Sequence, residues 1–126
     1  MSLIVSVVDY IAAQTSLVVD VDLFIGGELP GATEKSVVVK ETPSSTQNRS
    51  GLQTRAVQFL IKELGYVTAE TLAEQLFDLF AHKPGFSSGD VAQGVLYVDV
   101  INRPALLDRD ARGACIFVFN LLFRKV

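Results

Sequence analysis

The chain has 126 residues, of which 49% are apolar and 20% charged, and its net charge is -3 at pH 7. This length fits one domain, residues 1–126, whose core is large enough to fold without disulfides or a structural metal. The acidic balance excludes a broad basic surface for nucleic acid phosphates. The single cysteine, Cys115, excludes an intrachain disulfide and a thiolate metal cluster.

The distribution of apolar residues bears on membranes and on assembly. The apolar N-terminus has no basic residue before it, so we expect no signal peptide. The apolar stretch 114–119 is far shorter than the roughly 20 residues that cross a bilayer, so we expect no membrane partner. The mean hydropathy of +0.36 is high for a small soluble monomer. It favours a homo-oligomer in which another subunit covers part of the apolar surface, and a tightly packed monomer is the alternative.

The first elements in chain order are predicted to be a helix and a strand. Leu3, Val7 and Ile11 recur at helical spacing and predict a buried helix. From residue 17 the pattern changes, and the alternation at Asp20 and Asp22 predicts a strand with one solvated face. Both aspartates would then project from the same face of that strand.

The middle of the chain is predicted to be a long hairpin followed by a helix. Residues 37–41 and 52–64 have strand patterns, and antiparallel pairing between them leaves a polar hairpin tip at about 42–51. The segment 66–81 has apolar residues on one helical face, and Thr68 is a plausible N-cap.

Two further strands complete the predicted fold. Residues 94–101 alternate as a strand that Arg103 and Pro104 end, whereas residues 114–123 are apolar on both faces and predict a central strand. The element order is α-β-β-β-α-β-β. This order predicts an α+β fold with a largely antiparallel sheet packed against two main helices.

The motifs that carry chemistry argue against catalysis. Gly26 and Gly31 have the spacing of a phosphate loop, but Ala32 stands where a lysine is needed. His82 is the only histidine and has no nucleophile near it in sequence, and Cys115 lies within an apolar strand. We therefore predict no enzymatic activity and no cofactor.

Two acidic segments leave weaker alternatives open. Asp20 and Asp22 could bind a divalent cation, but a solvated strand face is favoured because no third ligand is near them in sequence, and we predict no metal. The segment 108–113 could hold an acidic pair with an arginine clamp, but a charged turn between strands explains it better.

A family resemblance rests on the C-terminal part of this pattern. The chain has the motif Pro-x-x-Leu-x-Arg-Asp-x-Arg before a terminal strand that contains asparagine, matched by Pro104, Leu107, Arg109, Asp110, Arg112 and Asn120. Together with the element order, this motif resembles bacteriophage minor capsid and tail terminator (tail completion) proteins of long-tailed phages. One departure is that Asp108 follows Leu107, where the similar proteins often carry glycine.

The resemblance implies a structural virion protein from a phage or prophage. Such a protein forms a ring, expected to be a hexamer, that caps the tail tube, stops its polymerisation and docks to the head connector. Its implied partners are the tail tube protein and the head connector protein, and DNA passes through without specific binding. Its implied location is the virion tail, with the host cytoplasm as the site of assembly.

Charged residues are the candidates for contacts in such a ring. The candidate subunit or partner interface consists of Arg49, Arg55, Asp108, Arg109, Asp110 and Arg112. Arg109 and Asp110 are predicted to pair at or beside a subunit interface, and Asp20 and Asp22 to face the channel. The alternatives are a small non-enzymatic adaptor domain that binds a viral or host protein, another head–tail joining protein, or an enzyme with an unrecognised site.

Overall fold

The computed structural model confirms an α+β fold and the predicted order of elements. It describes residues 3–27, 35–42, 46–47, 53–81, 95–109 and 113–125. The described elements are α1 (Leu3–Gln14), β1 (Leu23–Ile25), β2 (Ser36–Glu41), β3 (Thr46–Gln47), β4 (Gln53–Leu64), α2 (Tyr66–Phe80), β5 (Val95–Arg109) and β6 (Ala114–Lys125). The short β3 is an addition to the predicted order.

The strands form one mostly antiparallel sheet in the spatial order β1-β2-β4-β6-β5, with β3 paired to β4. Only the β1–β2 pair is parallel among the described strands. The predicted hairpin is confirmed, because β2 pairs antiparallel with β4 and the Thr42 N–H donates to the Ala56 carbonyl at 2.8 Å. Within the predicted polar tip, residues 43–45 and 48–51 lie outside the described residues.

The hydrophobic core lies between the helices and one face of the sheet. Because strand side chains alternate between faces, every second residue of β4 and β6 points toward the helices. Phe59 and Phe119 stack at 4.5 Å between ring centroids, and Phe77 of α2 meets Phe119 edge-on at 5.5 Å. Tyr10 of α1 packs against Phe80 of α2 at 5.7 Å, so both helices contact this aromatic cluster.

The start of α2 differs from the predicted cap. The N-cap residue is Gly65, with φ 85° and ψ 134°, and no side chain forms a capping hydrogen bond there. The predicted N-cap Thr68 is wrong, because Thr68 lies inside the helix. Gly65 alone connects β4 to α2, since β4 ends at Leu64 and α2 begins at Tyr66. Glycine adopts this backbone conformation because it has no Cβ, and the direct strand-to-helix connection depends on that freedom.

The predicted strand containing Asp20 and Asp22 is wrong over most of its length. Residues 18–22 form a turn in which the Val21 and Asp22 N–H groups donate to the Val18 carbonyl, each at 3.1 Å. Asp20 has φ 69°, which places it in the left-handed region. Aspartate tolerates that region and favours turns. The alternation of Asp20 and Asp22 with valines therefore has the same pattern as a strand although it belongs to a turn.

The predicted end of the strand at residues 94–101, which corresponds to β5, is also wrong. Strand β5 continues through Pro104 to Arg109, and its pairing with β6 contains four register shifts. Proline is tolerated here because β5 is an edge strand, and because bulges absorb residues that do not fit the ladder. Strand β6 is central, as predicted, between β4 and β5.

Candidate functional site: the ends and edges of the sheet

The predicted interface residues do not form one cluster. Arg55 lies beside Phe123 in the β4–β6 ladder, whereas Arg109 lies opposite Cys115 in the β5–β6 ladder. The two β6 positions are eight residues apart, or about 26 Å at about 3.3 Å per residue. Arg49, Asp110 and Arg112 lie outside the described residues, so the predicted pairing of Arg109 with Asp110 stays a prediction.

Arg55 is engaged within its own chain. Its Nη2 atom lies 2.8 Å from Oε2 of Glu41, and its Nε atom donates to Oε1 of the same carboxylate. Both side chains are 28% exposed. The hydrogen bond to Glu41 raises the pKa of Arg55, although partial burial acts in the opposite direction. This bidentate pair joins β2 to β4 where the hairpin leaves the core.

Arg109 and Asp108 lie exposed at the far end of β5. The Arg109 backbone N–H donates to Oδ1 of Asp108 at 2.7 Å. Among the ion pairs of the described residues, none includes the Arg109 guanidinium.

Asp20 and Asp22 occupy different positions in the turn at residues 18–22. Asp22 accepts a hydrogen bond from the Val18 N–H at 2.6 Å and so fixes the turn. Asp20 is exposed, and its backbone N–H donates to the Leu23 carbonyl at 2.8 Å. Within the described ranges, no group of three or more histidine, cysteine, aspartate or glutamate side chains could hold a metal ion.

Asn120, which the family motif singled out, anchors the edge strand. Its Nδ2 group donates to Oδ1 of Asn102 at 2.6 Å, and Asn102 in turn donates to the Arg103 carbonyl at 3.1 Å. Asn120 also lies opposite Gln58 in the β4–β6 ladder. These contacts hold β5 on β6 between two of its register shifts, so the structure gives Asn120 a local role in the sheet.

Sequence reasoning missed a contact between β5 and α2. The Arg103 guanidinium lies 4.8 Å from the centroid of the Phe77 ring, and its Nη2 atom lies 3.7 Å from Oε2 of Glu74. No local signal in the sequence links Glu74 to Arg103. The link exists only because β5 continues past its predicted end.

Sequence reasoning also missed where the exposed apolar side chains collect. One group lies at the β1 edge of the sheet and consists of Val18, Val21 and Ile25. Another lies on β5 at the opposite edge and consists of Ile101, Leu106 and Leu107. A third group, Leu64, Tyr66 and Val67, lies where β4 leads into α2. The high mean hydropathy predicted a surplus of apolar surface, but only the tertiary structure shows where that surface lies.

The described part of the chain thus has exposed apolar and charged side chains at both edges of its sheet. The chain matches the family described as bacteriophage tail terminator protein over residues 10–126. It therefore belongs to the bacteriophage tail terminator family, and the resemblance drawn from its sequence is confirmed. No curated protein matches it.

Family membership supports a structural role in the phage tail and a location in the virion. Such a role is non-enzymatic in kind. Neither α1 nor α2, the helices of the described residues, is long and apolar enough to cross a membrane.

Proposed function

We propose that this chain forms a hexameric ring that caps the tail tube, stops tube polymerisation and docks to the head connector. The observation that carries the proposal is the family match over nearly the whole chain. In this role the chain makes and breaks no bond. Subunits assemble in the host cytoplasm, and DNA passes through the finished ring without specific binding.

The shape of the sheet supports a ring. A closed ring of more than two copies needs two different patches on each subunit, because each copy contacts its neighbours head to tail. The β1 and β5 edges are separated by four strand spacings, or about 19 Å at about 4.8 Å each. Each edge carries its own exposed apolar group, so the chain has two distinct surfaces for two neighbours.

The first experiment measures solution mass by light scattering over a wide range of protein concentration. A closed hexamer gives one mass at all concentrations above its assembly threshold. The same samples, added to polymerising tail tube protein, should shorten the tubes seen by electron microscopy. The matched control is the chain added after polymerisation is complete, which should leave tube length unchanged.

Two results would contradict the proposal. A monomer at every concentration, with and without tube protein, favours the adaptor domain or another head–tail joining protein. A ring that binds the head connector protein but never changes tube length favours the head–tail joining role alone.

A further inference from the structure

We propose that the β1 edge of one copy packs against the β5 edge of the next copy, with Asp20 facing Arg109. This contact rests on the ring of the proposed function and names the surfaces that close it. It replaces two sequence-based predictions, because Asp20 then faces a neighbour and not the channel, and Arg109 pairs with Asp20 and not with Asp110. The occupant of each edge is therefore a second copy of this chain.

The surface on the β1 side is apolar and carries an acidic charge. Val18 and Val21 are 53% and 63% exposed, and Asp20 lies between them in the turn at residues 18–22. The turn is held by the hydrogen bond from Val18 to Asp22, so its apolar side chains are presented on a fixed backbone. A preordered surface loses less conformational entropy when it binds.

The surface on the β5 side is apolar and carries Arg109 next to the exposed Asp108. Leu107 is 59% exposed, and Leu106 lies opposite Phe117, against which Tyr66 packs edge-on at 5.3 Å. Arg109 follows with no ion pair among the described residues. The β1 side thus presents the exposed carboxylate of Asp20, and the β5 side the exposed guanidinium of Arg109, each beside apolar side chains.

The strand pairing places Leu23 on the β1 edge and Leu106 on the β5 edge at the same height along the strand direction. Leu23 of β1 lies opposite Val37, Val37 opposite Ile61, Ile61 opposite Phe117, and Phe117 opposite Leu106 of β5. One row of residues therefore runs from the first edge to the second. A contact between edges that are level adds no systematic offset along the strands from copy to copy, which suits a closed ring.

Side chains, and not a continuous ladder, make this contact. Strand β5 has register shifts between Val100 and Asn102, between Asn102 and Ala105, and between Leu106 and Asp108. Bulges twist an edge and interrupt its row of free backbone groups, which opposes the addition of another strand. The β1 edge has only the three residues Leu23–Ile25, too few for a long ladder.

Cross-linking between two variants that each carry one added cysteine tests the contact. Val21→Cys protein and Leu107→Cys protein are mixed, assembled and treated with a short bis-maleimide. Native Cys115 stays in place because it is 2% exposed, so the reagent has little access to it in the folded chain. We expect covalent dimers in the mixture and not in either variant alone. The matched control replaces Val21→Cys with Gln75→Cys on the exposed face of α2, and it should give no dimers.

The possible outcomes separate a failure of this contact from a failure of the proposed function. Dimers from Val21→Cys alone would show a symmetric contact and overturn the head-to-tail arrangement. A ring of unchanged mass with no cross-links in the mixture would overturn this contact and leave the proposed function standing. A chain that stays monomeric at all concentrations, with and without tube protein, would overturn the proposed function and this contact with it.

Charge removal gives a second measurement that does not depend on cysteine chemistry. Asp20→Asn keeps a residue that tolerates φ 69° and removes only the charge, and Arg109→Gln removes the opposite charge. Each should weaken assembly roughly two- to fivefold, and the double variant should be no weaker than either single variant. Asp9→Asn, on the exposed side of α1, is the control and should leave assembly unchanged. Additive losses would overturn the Asp20–Arg109 pairing.

Discussion

The Glu41–Arg55 pair joins two strands of the hairpin. The position of Arg55 at a subunit interface stays a prediction, and the structure shows that its side chain forms a bidentate pair within the chain. We predict that Glu41→Gln and Arg55→Met each lower the free energy of unfolding and that the two losses are not additive. Assembly of the Arg55→Met variant should be unchanged, because its guanidinium faces Glu41.

The expected size follows from the burial of the pair. Exposed ion pairs contribute about 0.2–1 kcal/mol, and bidentate arginine–carboxylate geometry with partial burial places a pair at the upper end. With both side chains 28% exposed, we expect a coupling free energy of about 1 kcal/mol. The pair Arg124–Asp99 is a matched comparison, because its N–O distance is 2.9 Å but its side chains are 39% and 46% exposed. Its coupling should therefore be smaller.

Urea unfolding of wild type, both single variants and the double variant measures the coupling as a double-mutant cycle. Light scattering on the same samples measures assembly. A coupling near zero would refute the inference that the pair fastens the hairpin. A loss of oligomer without a loss of stability in Arg55→Met would return Arg55 to the interface.

Three further predictions concern the fold around these surfaces. Phe119→Ala should lower the free energy of unfolding by about 3–5 kcal/mol in urea titrations, because the ring is fully buried between Phe59 and Phe77; a loss below about 1 kcal/mol would contradict this packing. Gly65→Ala should lower the free energy of unfolding by about 1–3 kcal/mol through backbone strain at φ 85°. A steric clash adds nothing, because the new Cβ would lie at an ordinary distance of 3.6 Å from Oγ1 of Thr68. An unchanged midpoint of thermal unfolding would contradict this prediction. Burial raises the pKa of Glu63, with Lys35 acting in the opposite direction, so the folded chain holds this proton more tightly than the unfolded chain. Stability from this group is therefore present at low pH and is lost as pH rises from the ordinary glutamate value through the raised one. Glu63→Gln should remove that loss, so the free energy of unfolding of the variant, measured in urea, should rise relative to that of wild type as pH increases across this window. A difference between the two free energies that does not change with pH would contradict the raised pKa of Glu63.

Elements with a regular local pattern could be predicted from the sequence. The helix α2 and the strands β4 and β6 each carry a repeating apolar pattern over a dozen or more residues, so periodicity was enough. The antiparallel hairpin of β2 and β4 followed from their order along the chain. The turn at residues 18–22 could not be separated from a strand, because Asp20 and Asp22 alternate with valines in either structure.

The candidate contacts were less predictable because they depend on which strands are neighbours. Charge made Arg55 and Arg109 equal candidates, but only the structure places Glu41 beside one and no ion-pair partner beside the other within the described residues. The exposed group on β5 was hidden because Pro104 was interpreted as the end of the strand. Proline ends strands inside a sheet but persists on an edge, and edge position is a tertiary property.

The irregular edge of β5 suits the proposed role, in which the chain ends a polymer without starting one. A long, flat edge strand is a template for open-ended addition of further strands. Strand β5 is long, but its register shifts, Pro104 and the charges of Arg103 and Arg109 oppose such addition. Its apolar side chains stay exposed. In the proposed contact these side chains meet a second copy, and a head-to-tail contact closes into a ring when the rotation between neighbouring copies returns the last copy to the first.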